Sequence, residues 1–264
     1  MRSLRGFLMF LWLAALAWPA RAEAPGSLTV FAAASLTDVF VAVGRSYERA
    51  HPGVRVRFDF AGSQQLAARL EQGASADVFA SADTRWMAFA AAKGMLAGDA
   101  LRFARNSLVV IVPRTNPARI DRLADLRRPG VKVVMCGDAV PAGHYARQVL
   151  RNLSGSDAGG LPADYATRVL SNVVSEEDNV RGVVGKVSLG EADAGFAYRS
   201  DVTASAQRYV KVIEVPAAVN VIAEYPIAVL KHAQRPALAQ DFVDFVLSEQ
   251  GQTALRGAGF LPAH

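Results

Sequence analysis

Three features of this 264-residue chain predict an α/β protein of two lobes. From Leu28 onward, short apolar runs alternate with stretches of helical periodicity, the pattern of largely parallel strands flanked by helices. A long apolar run, "NSLVVIVPR" (106–114), is followed by the same alternation begun afresh. A second long strand, "EYPIAVLK" (224–231), then precedes the terminal helices and carries the chain back to the first lobe. The lobes are therefore expected over 23–107 with 226–264, and over 108–225, each a mostly parallel sheet flanked by helices and joined by two crossing strands.

The elements follow in order. "SLTVFAAA" (27–34) reads as a strand, and Leu36, Val39, Phe40, Val43 and Tyr47 then fall at helical spacing until "HPG" (51–53) stops the helix. "VRVRFDF" (54–60) alternates strictly, as a strand with one buried face should. A short helix, "SQQLAARLEQG" (63–73), ends at a glycine, "ADVFAS" (76–81) is a strand, and "DTRWMAFAAAKG" (83–94) is a helix with the same kind of stop. Beyond the crossing come the strand "VKVVMC" (131–136), the helix "PAGHYARQVLRNL" (141–153) and a glycine-rich loop (154–160). The helix "DNVRGVVGKVSLG" (178–190) and the strand "ADAGFAY" (192–198) follow, and further helices start at Ala237.

The first residues carry an export signal. Two arginines precede an apolar run from Phe7 to Trp18, and Ala20, Arg21 and Ala22 give the A-x-A spacing of a cleavage site. The run is shorter than the roughly 20 residues needed to cross a bilayer, so residues 1–22 are expected to be a signal peptide cleaved after Ala22. Cleavage removes Arg2, Arg5 and Arg21 from the 29 basic residues and none of the 24 acidic ones. The mature chain is then nearly neutral, and with no basic run or aromatic–basic interleaving it is not a nucleic-acid binder. The one cysteine, Cys136, cannot form an internal disulfide, so the fold must stand on its core, which a hydrophobic share of 52% permits. Because Cys136 lies far from the cleavage region, lipid anchoring there is excluded, and a periplasmic monomer is expected.

Four turns share one grammar: a strand ends, a small polar or proline-bearing turn follows, and a helix begins with unpaired backbone N–H groups. In "AAASLTD", Ser35 is expected at the N-cap, with Asp38 completing a capping-box-like pattern. In "FAGSQQL", Gly62 permits close backbone approach and Ser63 is expected to cap the next helix. In "CGDAVPAGHYA", Pro141 presets a helix start, so Ala142 offers a free amide. In "SEEDNVRG", Asp178 or Asn179 caps and leaves the Val180 amide free. Each could be a cap and nothing more. Together, at the carboxyl ends of strands in two lobes, they are fit to gather an anion in one cleft. Such a set of neutral donors has no acceptor for a ligand proton, so a protonated phosphate would bury an unpaired hydroxyl at roughly 1–3 kcal/mol, and fully ionised oxyanions are preferred.

The motifs "FAAASLTD" (31–38), "DVFASADTRWM" (77–87), "NSLVVIVP" (106–113), "VPAGHYA" (140–146), "DNVRG" (178–182) and "ADAGFAYRSDV" (192–202) resemble, in this order, the periplasmic molybdate-binding proteins of ABC importers. The resemblance implies a type II periplasmic-binding-protein fold that closes on molybdate or tungstate and presents it to a membrane permease, with no cofactor. It also implies a site of two serines, two backbone amides and a tyrosine, which fall here on Ser35, Ser63, Ala142, Val180 and Tyr198. The second motif departs from members with three consecutive serines, since it reads Ala61, Gly62, Ser63 here.

Two other readings remain at this stage. One is a binder of the same fold for sulfate or a small organic ligand, although the latter normally calls for an arginine fork and apolar lining. The other is a secreted serine hydrolase using Ser35, Asp38 and His144, for which no G-x-S-x-G elbow is present. Metal binding through side chains lacks any H-x-x-x-H or C-x-x-C spacing, and the acidic run Glu176, Glu177, Asp178 reads as a solvated loop or helix start. Arg181 and Lys186 are expected to face solvent beside the cleft.

Overall fold

The structure, a computed structural model, describes residues 26–155 and 160–263. The expected signal segment 1–22, with its cleavage point after Ala22, lies outside the described residues, as do positions 156–159 of the glycine-rich loop.

The first half of the chain builds β1 (Ser27–Ala33), α1 (Thr37–Ala50), β2 (Arg55–Ala61), α2 (Ser63–Glu71), β3 (Val78–Ala80) and α3 (Thr84–Ala92). β1 lies between β2 and β3 and is parallel to both. Val39, Phe40, Val43 and Tyr47 of α1 are buried, as their spacing requires, and Phe40 packs against Phe58, Phe103 and Phe242 with ring centroids 5.6–6.3 Å apart.

β4 (Leu101–Pro113) then passes from one lobe to the other. It begins five residues before the apolar run that announces it. Next come β5 (Val133–Cys136), α4 (Pro141–Leu153), α5 (Tyr165–Ser171), β6 (Val173–Glu177), α6 (Val180–Ser188), β7 (Ala194–Tyr198) and β8 (Val210–Glu214). β5 is parallel to both β6 and β7, whereas β7 and β8 flank the second half of β4 in antiparallel register. β9 (Ile222–Val229) returns to pair with the first half of β4 and with β3, and α7 (Pro236–Leu247) and α8 (Glu249–Gly257) end the chain on that side. Between β8 and β9, the Asn220 side chain grips β4 at one point, accepting the Leu108 N–H at 3.2 Å and donating to the Leu108 carbonyl at 2.9 Å.

The acidic run is a correction. Glu176 and Glu177 end strand β6 instead of forming a loop or helix start. Arg147 pairs with Glu176, while Lys186 lies 2.6 Å from Glu177 and keeps its carboxyl below the usual carboxylate range together with the Ser175 hydroxyl, although partial burial opposes the shift. A paired charge can occupy a strand position that an unpaired one would leave to solvent.

Candidate functional site

The antiparallel pairings through β3, β9, β4 and β7 make β1 and β2 run opposite to β5, β6 and β7, so the carboxyl ends of the two sets of strands point toward one another. The turns that follow them line one small cavity. Ser35, Ser63, Ala142, Val180 and Tyr198 all border it, with Ala33, Gly62, Pro141 and Asn179 between them. Its room for the centre of a water-sized sphere is about 20 Å³, a volume on the scale of one small group and too small for a drug-sized organic molecule.

Each residue reaches the cavity for a local reason. Ser35 lies inside a 3-10 turn, Ala34–Leu36, and not at the cap of α1, whose N-cap is Leu36. The expected capping box is absent, because Asp38 turns to Arg181 of α6 at 2.6 Å. The Ser35 hydroxyl instead meets that of Tyr225 at 3.0 Å. Gly62 is the N-cap of α2 and Ser63 its first residue, so Ser63 does not cap either. Its Oγ accepts the Ala82 N–H at 3.0 Å, which leaves its own proton for the cavity.

Ala142 is the second residue of α4 behind Pro141, and Val180 is the first of α6, positions at which an amide has no intrahelical acceptor. Asn179 caps α6 through Oδ1, which accepts from Arg181 N at 3.1 Å and Gly182 N at 3.4 Å, so the cap does not use the Val180 amide. Gly143 seats α4: a Cβ there would strike the carbonyls of Cys136 and Gly137, so only glycine lets the helix start this close to the end of β5. Tyr198 ends β7 and is 1% exposed, and its hydroxyl is buried without a hydrogen-bond partner. Burial holds that phenol well above its ordinary pKa, so it stays a donor.

The signature of the bacterial extracellular solute-binding proteins matches residues 28–261. The chain belongs to that family. It is 43% identical over 234 residues to a molybdate-binding protein, ModA, of Mycobacterium tuberculosis H37Rv, the match covering 89% of this chain and 84% of that one. Among solved structures, the periplasmic molybdate-binding protein of Azotobacter vinelandii aligns with a TM-score of 0.76 at 21% identity, covering 89% of this chain and 98% of its own. The sulfate-binding protein SubI of M. tuberculosis H37Rv aligns with a TM-score of 0.79 at 20% identity, covering 90% and 87%. At such identities these two likenesses speak to fold alone, and the fold is that of the type II periplasmic binding proteins.

Among the described residues of this solute-binding protein, no lysine or arginine borders the cavity. Arg181 is held by Asp38, and Lys186 by Glu177 and by the Ser175 hydroxyl at 2.7 Å. The rim is tied across the cleft by neutral donors as well: Gln64 Nε2 donates to the Asp178 carbonyl at 2.8 Å, and Trp86 Nε1 to the Ala139 carbonyl at 2.8 Å. A Ser35–Asp38–His144 triad does not assemble, since Asp38 is committed to Arg181 and His144 lies 3.3 Å from Asp138. Among the described residues no group of three or more His, Cys, Asp or Glu is placed to hold a metal ion, and no helix is long and apolar enough to cross a membrane. Sequence reasoning missed Tyr225 and Asn106, which lie behind Ser35: the stretches that hold them, "NSLVVIVP" and "EYPIAVLK", read only as crossing strands, and neither residue is near Ser35 in the chain.

Proposed function

We propose that the protein captures molybdate, and tungstate with it, as a bare dianion in this cavity and delivers it from the periplasm to the permease of an ABC importer. The observation that carries the reading is the buried, unpartnered hydroxyl of Tyr198, a residue that borders the same space as two serines and two helix starts. A buried polar group without a partner costs about 1–3 kcal/mol, a penalty that an oxyanion would remove. The family and the molybdate-binding relative support the same ligand.

The chemistry follows from the donor set. Two hydroxyls, a phenol and two amides disperse the anion's charge through dipoles fixed by α4, α6 and the ends of β1, β2 and β7, without a countercharge. Pure donors offer a ligand hydroxyl no acceptor, which disfavours hydrogen phosphate, and the small cavity disfavours organic ligands. Sulfate shares the charge and shape of molybdate, so its rejection would rest on size. In this reading the lobes, 23–107 with 226–264 and 108–225, close by hinge motion on the anion, and the mature chain begins after Ala22 and works as a monomer. In this reading it uses no cofactor and performs no catalysis, and among the described residues no histidine, aspartate, glutamate or lysine borders the cavity.

Isothermal titration with molybdate, tungstate, sulfate and phosphate tests this. Tight binding of the first two and weak binding of phosphate is expected. Phosphate bound as well as molybdate would overturn the all-donor site, and hydrolysis of a model ester would revive the hydrolase.

A further inference from the structure

Either of the two hydroxyls that meet at 3.0 Å behind the cavity, those of Ser35 and Tyr225, could donate to the other. If Ser35 donated to Tyr225, its proton would be lost to the cavity and its oxygen would face the ligand as an acceptor. Asn106 decides the direction. Its Oδ1 accepts the Ser107 N–H at 3.0 Å, and a backbone amide cannot reverse that role. The other end of the Asn106 side chain is therefore the NH₂, which donates to the Ser200 hydroxyl at 2.8 Å and to the Tyr225 oxygen at 3.4 Å. Asn106 and Tyr225 are fully buried, so water does not compete for these bonds. With its oxygen receiving from Asn106, Tyr225 sends its own proton to Ser35 Oγ, and the Ser35 proton is left for the cavity.

We infer that Tyr225, held by Asn106, is a positioning residue that makes Ser35 an obligate donor to the bound anion and thereby sets the preference for unprotonated over protonated oxyanions. The inference rests on the oxyanion reading above and adds to it the groups that enforce the donor-only character of the site. Ser63 is oriented more simply, by the backbone N–H of Ala82. Burial holds the Tyr225 phenol well above its ordinary pKa, so the proton it passes to Ser35 is present at any working pH. The chain also crosses the molecule, from Ser35 after β1 through Tyr225 on β9 and Asn106 on β4 to Ser200 after β7. The donor direction is thus set in the strands between the lobes.

The test compares sulfate with inorganic phosphate at about pH 8, where the two are alike in shape and in double charge but the phosphate carries a proton. Wild type and Tyr225→Phe are titrated calorimetrically with molybdate, sulfate and phosphate after thermal melts establish that the variant is folded. In Tyr225→Phe, Ser35 is free to turn and accept, so molybdate and sulfate affinities are expected to fall about tenfold while phosphate affinity holds or rises. A sulfate-to-phosphate preference unchanged in folded Tyr225→Phe overturns the inference. Asn106→Asp is the second variant: with acceptors at both oxygens it draws the Tyr225 proton to itself and turns Ser35 toward Tyr225. Its added charge repels both anions alike, so the preference is again expected to drop, and an unchanged preference overturns the inference here too. Wild-type protein that binds none of the anions overturns the oxyanion reading itself, an outcome visible before either variant is made.

Discussion

With the lobes closed, the Tyr198 hydroxyl is buried and unpartnered at the end of β7, so without a ligand it opposes closure and in the complex it serves binding. Tyr198→Phe separates the two effects. Removing the orphan group relieves the closed form of a penalty of about 1–3 kcal/mol, so the ligand-free variant is expected to melt no lower than wild type and at most roughly 2–4 °C higher per kcal/mol relieved. The same change deletes a donor to a dianion and is expected to weaken molybdate binding by about 1.5–3 kcal/mol. Thermal melts with and without molybdate read both, and the protection given by molybdate should shrink while the ligand-free melting point holds or rises. A variant that melts lower in both conditions would mean that the hydroxyl has a partner in solution and does not wait for a ligand.

At the scale of elements, the anion sees helix starts, and Gly62 shows how closely two of them approach. Its backbone, at φ −62° and ψ 141°, suits any residue, so Gly62→Ala introduces no strain within α2. A Cβ there would lie 2.5 Å from the Asp178 carbonyl oxygen, which precedes α6 in the other lobe, and otherwise meets the flexible Gln64 side chain. The extra methyl therefore obstructs closure and little else. Molybdate affinity is expected to fall at least about tenfold, as 1.4 kcal/mol of lost closure would give, with the ligand-free melting point nearly unchanged. Unchanged affinity would mean that the lobes bind without closing to this distance. Local chemistry made much of this legible: the spacing of Val39, Phe40, Val43 and Tyr47 announces α1, and Pro141 and Asn179 mark helix starts that the structure has. What misled was long-range. Asp38 and Ser63 have the right residue types for caps, but Arg181 takes the first from 143 residues away and the Ala82 amide takes the second from 19 residues away. Likewise β6 ends in Glu176 and Glu177 because Arg147 and Lys186 neutralise them from neighbouring helices, and no pattern within the strand records that.

Across the whole molecule, the cleft is held shut by Arg181 on Asp38, by Gln64 on the Asp178 carbonyl and by Trp86 on the Ala139 carbonyl, while the turn that follows β7 carries a buried carboxyl. Asp201 follows β7, is 2% exposed, accepts the Tyr198 N–H through Oδ2 at 3.0 Å and leaves Oδ1 without a partner. Burial pushes its pKa up to about 7, against a partial opposing pull from the Tyr198 N–H and from Arg181. The native state therefore holds this proton more tightly than the unfolded chain, where a carboxyl titrates near about 4. The stability so gained is fully present below the unfolded value and is lost as pH rises through about 7. Urea unfolding at several values between pH 5 and pH 8 is expected to show wild type losing stability on the order of a few kcal/mol relative to Asp201→Asn. The carboxamide offers Tyr198 N–H the same acceptor but has no charge to bury, so the variant's profile should be flatter over that range. Parallel profiles would mean that water reaches Asp201 and that its carboxyl ionises in the folded protein as it does in the unfolded one.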